Sequence, residues 1–180
     1  MKKNIISFFK EIIPIIAGIL IAMYITNWNE DRKDKKYINQ IFTSINKELS
    51  ETKEDIITQI ALHNILIDSL DFYERNNTIT LMDIAIKVNG IQMPTIKLSS
   101  WKAISNSKIE LLKYENISTL ANIENLREVL IMKNANLSNF IYPNINETTM
   151  NKKQILKVMM MDIMSTETAI QKEIEKVLKN

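Results

Sequence analysis

The sequence predicts an all-α protein: one N-terminal transmembrane helix, continuous with a long amphipathic helix and followed by an irregular antiparallel helical bundle. Three observations predict it. Residues 12–28, IIPIIAGILIAMYITNW, carry no charge. The 180 residues contain only two glycines and three prolines. Apolar residues recur at spacings of three and four through most of the remainder. Sheets need turns, which commonly use Gly, Pro or Asn-Gly pairs, so the scarcity of these residues favours long helices. A chain of this length is one ordinary domain, and it still buries a core when residues 1–28 are set aside. The expected division is therefore 1–28, a short basic tail and transmembrane helix, and 29–180, a helical bundle domain with a membrane-proximal long helix.

Composition excludes several functions. The 23 basic and 21 acidic residues leave a net charge of +2, so no large one-signed field exists to hold a nucleic acid. Without cysteine there is no disulfide, thiolate metal site or thiol nucleophile, and either side of a membrane remains open. The many asparagines read as a coding bias and as solvated surface.

At 1.5 Å per residue, Ile12 to Trp28 spans about 25 Å, slightly less than a hydrocarbon core of about 30 Å. Ile5, Ile6, Phe8 and Phe9 lengthen the apolar surface if Lys2, Lys3 and Lys10 snorkel, and Tyr24 and Trp28 stand where interfacial aromatics belong. A buried core helix or a cleaved signal peptide fits the same opening. The absence of a small-x-small pair around Ala22 to Thr26, and the polar, helix-compatible NWNEDRKDKK that follows, favour an uncleaved anchor. Pro14 lies near the first turn or kinks the span. The expected membrane-interface residues are Lys10, Glu11, Tyr24, Trp28, Arg32 and Lys33, with the cluster RKDKK, residues 32–36, beside acidic headgroups. Lys2, Lys3 and Lys10 on one side and Arg32, Lys33, Lys35 and Lys36 on the other nearly balance, so charge leaves the orientation open.

Residues 11–33, EIIPIIAGILIAMYITNWNEDRK, resemble the opening of an uncharacterised single-span membrane protein family of Bacteroidota, domain of unknown function 6090. The shared order is a basic tail, a Glu-Ile-Ile start, a Gly-Ile-Leu-Ile-Ala centre and an Asn-Trp-Asn-Glu exit before basic residues. Residues 99–113, SSWKAISNSKIELLK, are similar to its second landmark. This chain departs from the pattern at Pro14 and at Ser107-Lys108, where the family tends to have an aliphatic residue and a glycine. The resemblance implies a bacterial inner-membrane anchor with a cytoplasmic N-terminus and a periplasmic helical domain. It implies no activity.

After Trp28 neither Gly nor Pro occurs before about Arg75, and Ile38, Phe42, Ile45, Leu49, Thr52, Ile56, Ile60, His63, Ile67 and Leu70 mark one long amphipathic helix. Continued from the membrane, its 45 or so residues would reach about 70 Å, enough for part to act as a stalk or oligomer seam. The steps Thr52 to Ile56 to Ile60 break the alternation of three and four as a stutter does, which favours bundle packing over a continuous coiled coil. Asn76-Asn77 marks a turn, Thr78 caps a short helix to Val88, and Asn89-Gly90 supplies left-handed conformation. Ile91 to Leu98, with Pro94, is then a connecting loop. Ser99 or Ser100 caps a short helix from Trp101. A helix from about Glu115 to Ile141 buries Ile117, Leu120, Ile123, Leu126, Leu130 and Leu137 and is ended by Pro143. Thr148 or Thr149 opens the last helix, to Leu178, with Ile155, Met159, Ile163, Ile170, Ile174 and Val177 inward. Short connections favour antiparallel neighbours.

No constellation for chemistry emerges. His63, the single histidine, sits on the apolar stripe without a ligand companion at helical spacing, so a core histidine with one hydrogen bond is expected over a metal ligand or pH sensor. The carboxylates are scattered and no glycine-rich loop can cradle a phosphate, so no catalytic, cofactor-binding or metal residue is assigned and no enzyme is expected. Met159, Met160, Met161 and Met164 mostly fill core, but three consecutive positions cannot all face inward, which singles out Met160 and Met161 as possible partner contacts. Trp101 is expected to lock its short helix to the bundle. The leading expectation is a membrane-anchored scaffold or interaction protein of the bacterial envelope, whose partners are the lipid bilayer and either another protein or a second copy. The alternative is an extracytoplasmic sensory or ligand-binding bundle, similar to chemoreceptor outer domains, acting through a separate partner.

Overall fold

In the computed structural model, which describes residues 2–179 and the side chains of residues 12–179, α1 runs unbroken from Lys2 to Phe72. Between Gly18 and Phe72 no glycine or proline loosens its backbone ladder, and Pro14 lies inside the helix without ending it. Then follow α2 (Leu81–Lys87), α3 (Ser99–Ser105), a 3₁₀ turn (Ile109–Leu111), α4 (Tyr114–Asn144) and α5 (Met150–Leu178). The fold is all-helical, with no strand among the described residues.

The chain divides into two compact units, 1–42 and 43–180. The end of the apolar segment at Trp28 is therefore not where the first compact unit ends. That first unit is the N-terminal part of α1, whose apolar residues from Ile13 to Trp28 are exposed.

In the second unit, α1 and α5 are antiparallel. As α1 advances through Lys53, His63 and Asp71, its polar partners on α5 recede through Glu175, Glu167 and Lys157. The buried positions of α1 are Ile45, Leu49, Thr52, Ile56, Gln59, His63, Leu66 and Leu70. They alternate four and three without interruption, so the stutter expected at Ile60 is absent. Ile60 and Ile67 lie half-buried beside the stripe, and Gln59 and Leu66 occupy it. The buried positions of α5 repeat the alternation through Lys153, Leu156, Met160, Ile163, Glu167, Ile170, Ile174 and Val177, with Thr166 buried beside Glu167. Ile155 and Met159, expected inward, are exposed and half-buried, one position before the observed stripe at Leu156 and Met160. In both helices polar residues hold inward positions, and following apolar residues alone leads to the wrong neighbour.

α4 and α5 form a packed hairpin around the short turn 145–149. Leu120, Ile123, Leu130 and Leu137 of α4 are buried, while Ile117 and Leu126 are half-buried. Pro143 sits in the last turn and α4 ends one residue later, because a proline there removes a single ladder donor, and Asn144 Nδ2 donates to the Phe140 carbonyl at 2.7 Å. The same turn closes the N-terminus of α2, whose Leu81 and Met82 amides donate to the Glu147 and Ile145 carbonyls. The cap of α2 is Thr80 and not Thr78. Thr80 forms a reciprocal box with Asp83, whereas Thr78 donates to the Asn76 side chain and stays in the turn.

Asn89 and Gly90, at φ +61° and +88°, reverse the chain after α2. Residues 91–98 then run extended along α1 as a strap. The Thr95 amide donates to Asp55 Oδ2 at 2.7 Å and the Lys97 amide to Thr52 Oγ1 at 3.0 Å. α3 starts at Ser99, and neither serine caps it. Glu48 of α1 accepts the Ser100 amide instead.

Candidate functional site

Two places hold polar chemistry: the exposed N-terminal part of α1 and a buried polar line where α1, α5 and the strap meet.

Along α1, Tyr24, Trp28, Arg32 and Lys33 are all exposed. The side chains of Lys10 and Glu11 lie outside the described residues. From Ile12 on, α1 contains a segment long and apolar enough to cross a membrane, none of it buried. Between Gly18 and Asn27 the Thr26 hydroxyl donates to the Ala22 carbonyl at 3.0 Å, which leaves the exposed Tyr24 phenol as the other hydroxyl of an otherwise apolar surface.

The buried line centres on His63. Its ring is 2 % exposed and the Glu167 side chain is fully buried, with Nδ1 3.2 Å from Glu167 Oε2. Nε2 lies 2.7 Å from the Gln92 carbonyl of the strap, an atom that can only accept, so Nε2 carries a proton. Histidine spacing on α1 thus points one nitrogen at α5 and the other at the strap, two hydrogen bonds where one was expected. Burial works against a charged ring. The Glu167 hydrogen bond, the Gln92 carbonyl and the carboxylate charge outweigh it and hold the His63 pKa above the ordinary histidine value. Gln59, one turn earlier, brings Oε1 into the same buried seam without a hydrogen-bond partner, as does Glu167 Oε1.

Further along α5, Lys153 is 1 % exposed and donates to the carbonyls of Tyr73 and Asn76 at 2.9 and 2.6 Å. α1 has no basic residue in its last turn, so Lys153 supplies from another helix the cation that the negative end of the helix dipole favours. Burial pushes its pKa down. From α4, Lys133 donates to Thr166 Oγ1 at 2.9 Å and pairs with Asp162 at 2.7 Å. Trp101 is buried and its Nε1 donates to Glu124 Oε2 at 2.7 Å, tying α3 to α4.

The methionine assignment needs correction. Met160 is fully buried on the α5 stripe and is core, while Met161 is exposed. Of these two, Met161 is the one at the surface. No family model, curated protein or solved structure matches this chain.

Two open clefts of about 200 Å³ flank α4. One is lined by Met93, Pro94, Thr95 and Ile96 of the strap with Arg127, Leu130 and Ile131, the other by Ala85, Ile91, Leu137, Ile141 and Tyr142. Both are smaller than the roughly 300–1,000 Å³ common for small-molecule sites. Neither is lined by His63 or Glu167. No three His, Asp or Glu side chains gather to hold a metal ion among the described residues.

The sequence did not reveal the buried pair or Lys153. A signal existed: a strict alternation of three and four through α1 and α5 passes through Gln59, His63, Lys153 and Glu167 whatever their polarity.

Proposed function

We propose that this chain is a single-span, membrane-anchored helical protein that acts by binding other proteins and performs no chemistry of its own. The observation that carries the reading is the exposed apolar stretch of α1, where Ile13, Ile15, Ile16, Ile19, Leu20, Ile21, Met23 and Ile25 are each half exposed or more. Leaving that much apolar surface in water costs roughly 25 cal/mol per Å², a cost that lipid removes. Tyr24 and Trp28, followed by Arg32 and Lys33, suit the interface beyond it.

A binding role is supported by what the bundle keeps inside and outside. Its best acid–base pair, His63 with Glu167, is sealed in the core. Ile57, Ile65 and Phe72 of α1 and Val158 and Met161 of α5 remain exposed. The uninterrupted alternation on α1 and α5 supports a coiled-coil-like seam within one chain, leaving the outer faces for an envelope protein or a second copy. The likeness of residues 11–33 to the single-span family supports a bacterial inner membrane, a cytoplasmic N-terminus and a periplasmic bundle.

The test is purification of the full chain from its native membrane in mild detergent, followed by mass measurement. The reading expects a mass above that of one chain in its micelle, from a defined partner or a second copy. A monodisperse single chain with nothing bound contradicts it. Because the natural chain has no cysteine, Ser50→Cys gives a unique thiol on the bundle. A periplasmic bundle is labelled by an impermeant maleimide in spheroplasts, and labelling only after lysis contradicts that placement.

A further inference from the structure

Among the described residues, the imidazole of His63 is the side chain that hydrogen-bonds both α5 and the strap. Gln92 is the strap residue it holds. Both ring nitrogens face acceptors, a carbonyl and a carboxylate. One proton beyond that of a neutral ring must therefore lie between Nδ1 and Oε2, whether the pair is written as imidazolium with carboxylate or as imidazole with carboxylic acid. Remove that proton and a single N–H is left for two acceptors. The buried carboxylate is the costlier one to strand, since its other oxygen already lacks a partner. The remaining N–H belongs with Glu167, and the Gln92 carbonyl loses its donor.

We propose that His63 and Glu167 form a proton-operated latch on the strap: the shared proton clamps Gln92 to α1, and its loss releases the strap from that helix at Gln92. The latch goes beyond the membrane-anchoring reading and does not depend on it.

Among the described residues, Glu167 and the Gln92 carbonyl are the groups that act on the ring. From α1 the neighbour is neutral Gln59, and from the strap it is the Gln92 carbonyl. From α5 the charged group is Glu167, and from α4 Lys133 is engaged by Thr166 and Asp162. The flanking charges on the seam are already paired, Lys53 with Glu175 and Lys157 with Asp71, and Asp55 is occupied by the Thr95 amide. Once Gln92 is released, the strap keeps the bonds at Thr95 and Lys97, the Lys97–Glu51 surface pair and the buried Pro94 and Leu98, so the loosening centres on the Gln92 end. The cleft between Pro94, Ile96 and Ile131 would then widen.

Because His63 is the only histidine, selective ¹³C labelling of histidine in the untagged full chain, in detergent micelles, gives one resonance that reports its protonation. Hydrogen exchange of the 91–98 segment, corrected for intrinsic base catalysis, is followed on the same sample from about pH 6 to about pH 10. The latch predicts that strap protection falls about tenfold through the His63 titration, while α4 and α5 segments keep theirs. It further predicts that His63→Gln removes the pH dependence. Constant strap protection through the titration overturns the proposal, as does a His63 resonance that never titrates in this range. A His63→Gln chain whose strap loosens with pH as the natural one does also overturns it. If His63→Gln fails to fold, the natural chain decides alone.

Discussion

The Glu48 carboxylate closes on the start of α3, with Oε2 3.1 Å from the Ser100 amide and Oε1 2.8 Å from the Ser100 hydroxyl. α3 has no capping side chain of its own, so a residue 52 positions earlier satisfies one of its free N-terminal donors. Glu48→Ala is expected to destabilise the bundle by about 1–2 kcal/mol. Urea unfolding of the full chain in detergent checks this, and a change in which Ser100→Ala is as damaging on top of Glu48→Ala as alone would show that the two do not interact.

Lys153 closes the C-terminal end of α1. Lys153→Met keeps much of the stem's packing but strands the Tyr73 and Asn76 carbonyls, for an expected loss of about 1–3 kcal/mol. Lys157→Met, which removes a half-exposed partner of Asp71, should stay within about 0.5 kcal/mol. Equal losses at the two positions would contradict the capping role.

The folded chain holds the His63 proton more tightly than a free histidine does, so the folded state binds more protons than the unfolded state. Its contribution to stability is complete below the ordinary histidine value of 6.5 and is lost as pH rises through the higher folded pKa. Urea midpoints of the natural chain should therefore decline over that window. The decline should be absent in His63→Gln.

Adjacent methionines give a sharper check on packing. Met160→Ala empties a core site and should cost about 2–5 kcal/mol, whereas Met161→Ala should stay within about 0.5 kcal/mol. The helices, their order and the loop at Ile91 to Leu98 are legible from apolar spacing and the lack of Gly and Pro. The face of α5 is not, because Lys153 and Glu167 hold inward positions and draw a reader of apolar residues toward Ile155 and Met159. The same thing happens on α1, where Ile60 attracts attention that belongs to Gln59. Helix starts divide along the same line. The start of α5 is read to within one residue, at Thr148 or Thr149, and Thr149 precedes the helix without a capping side-chain bond, while Glu48 is invisible locally because its partner is distant in sequence. The buried pair required knowing that α1 and α5 run antiparallel, which no local pattern states.

With the N-terminal apolar part of α1 across lipid, the intact chain stays in the pellet when native membranes are extracted with alkaline carbonate, and it leaves only with detergent. An intact chain released into the carbonate supernatant, and soluble there without detergent, would contradict that placement.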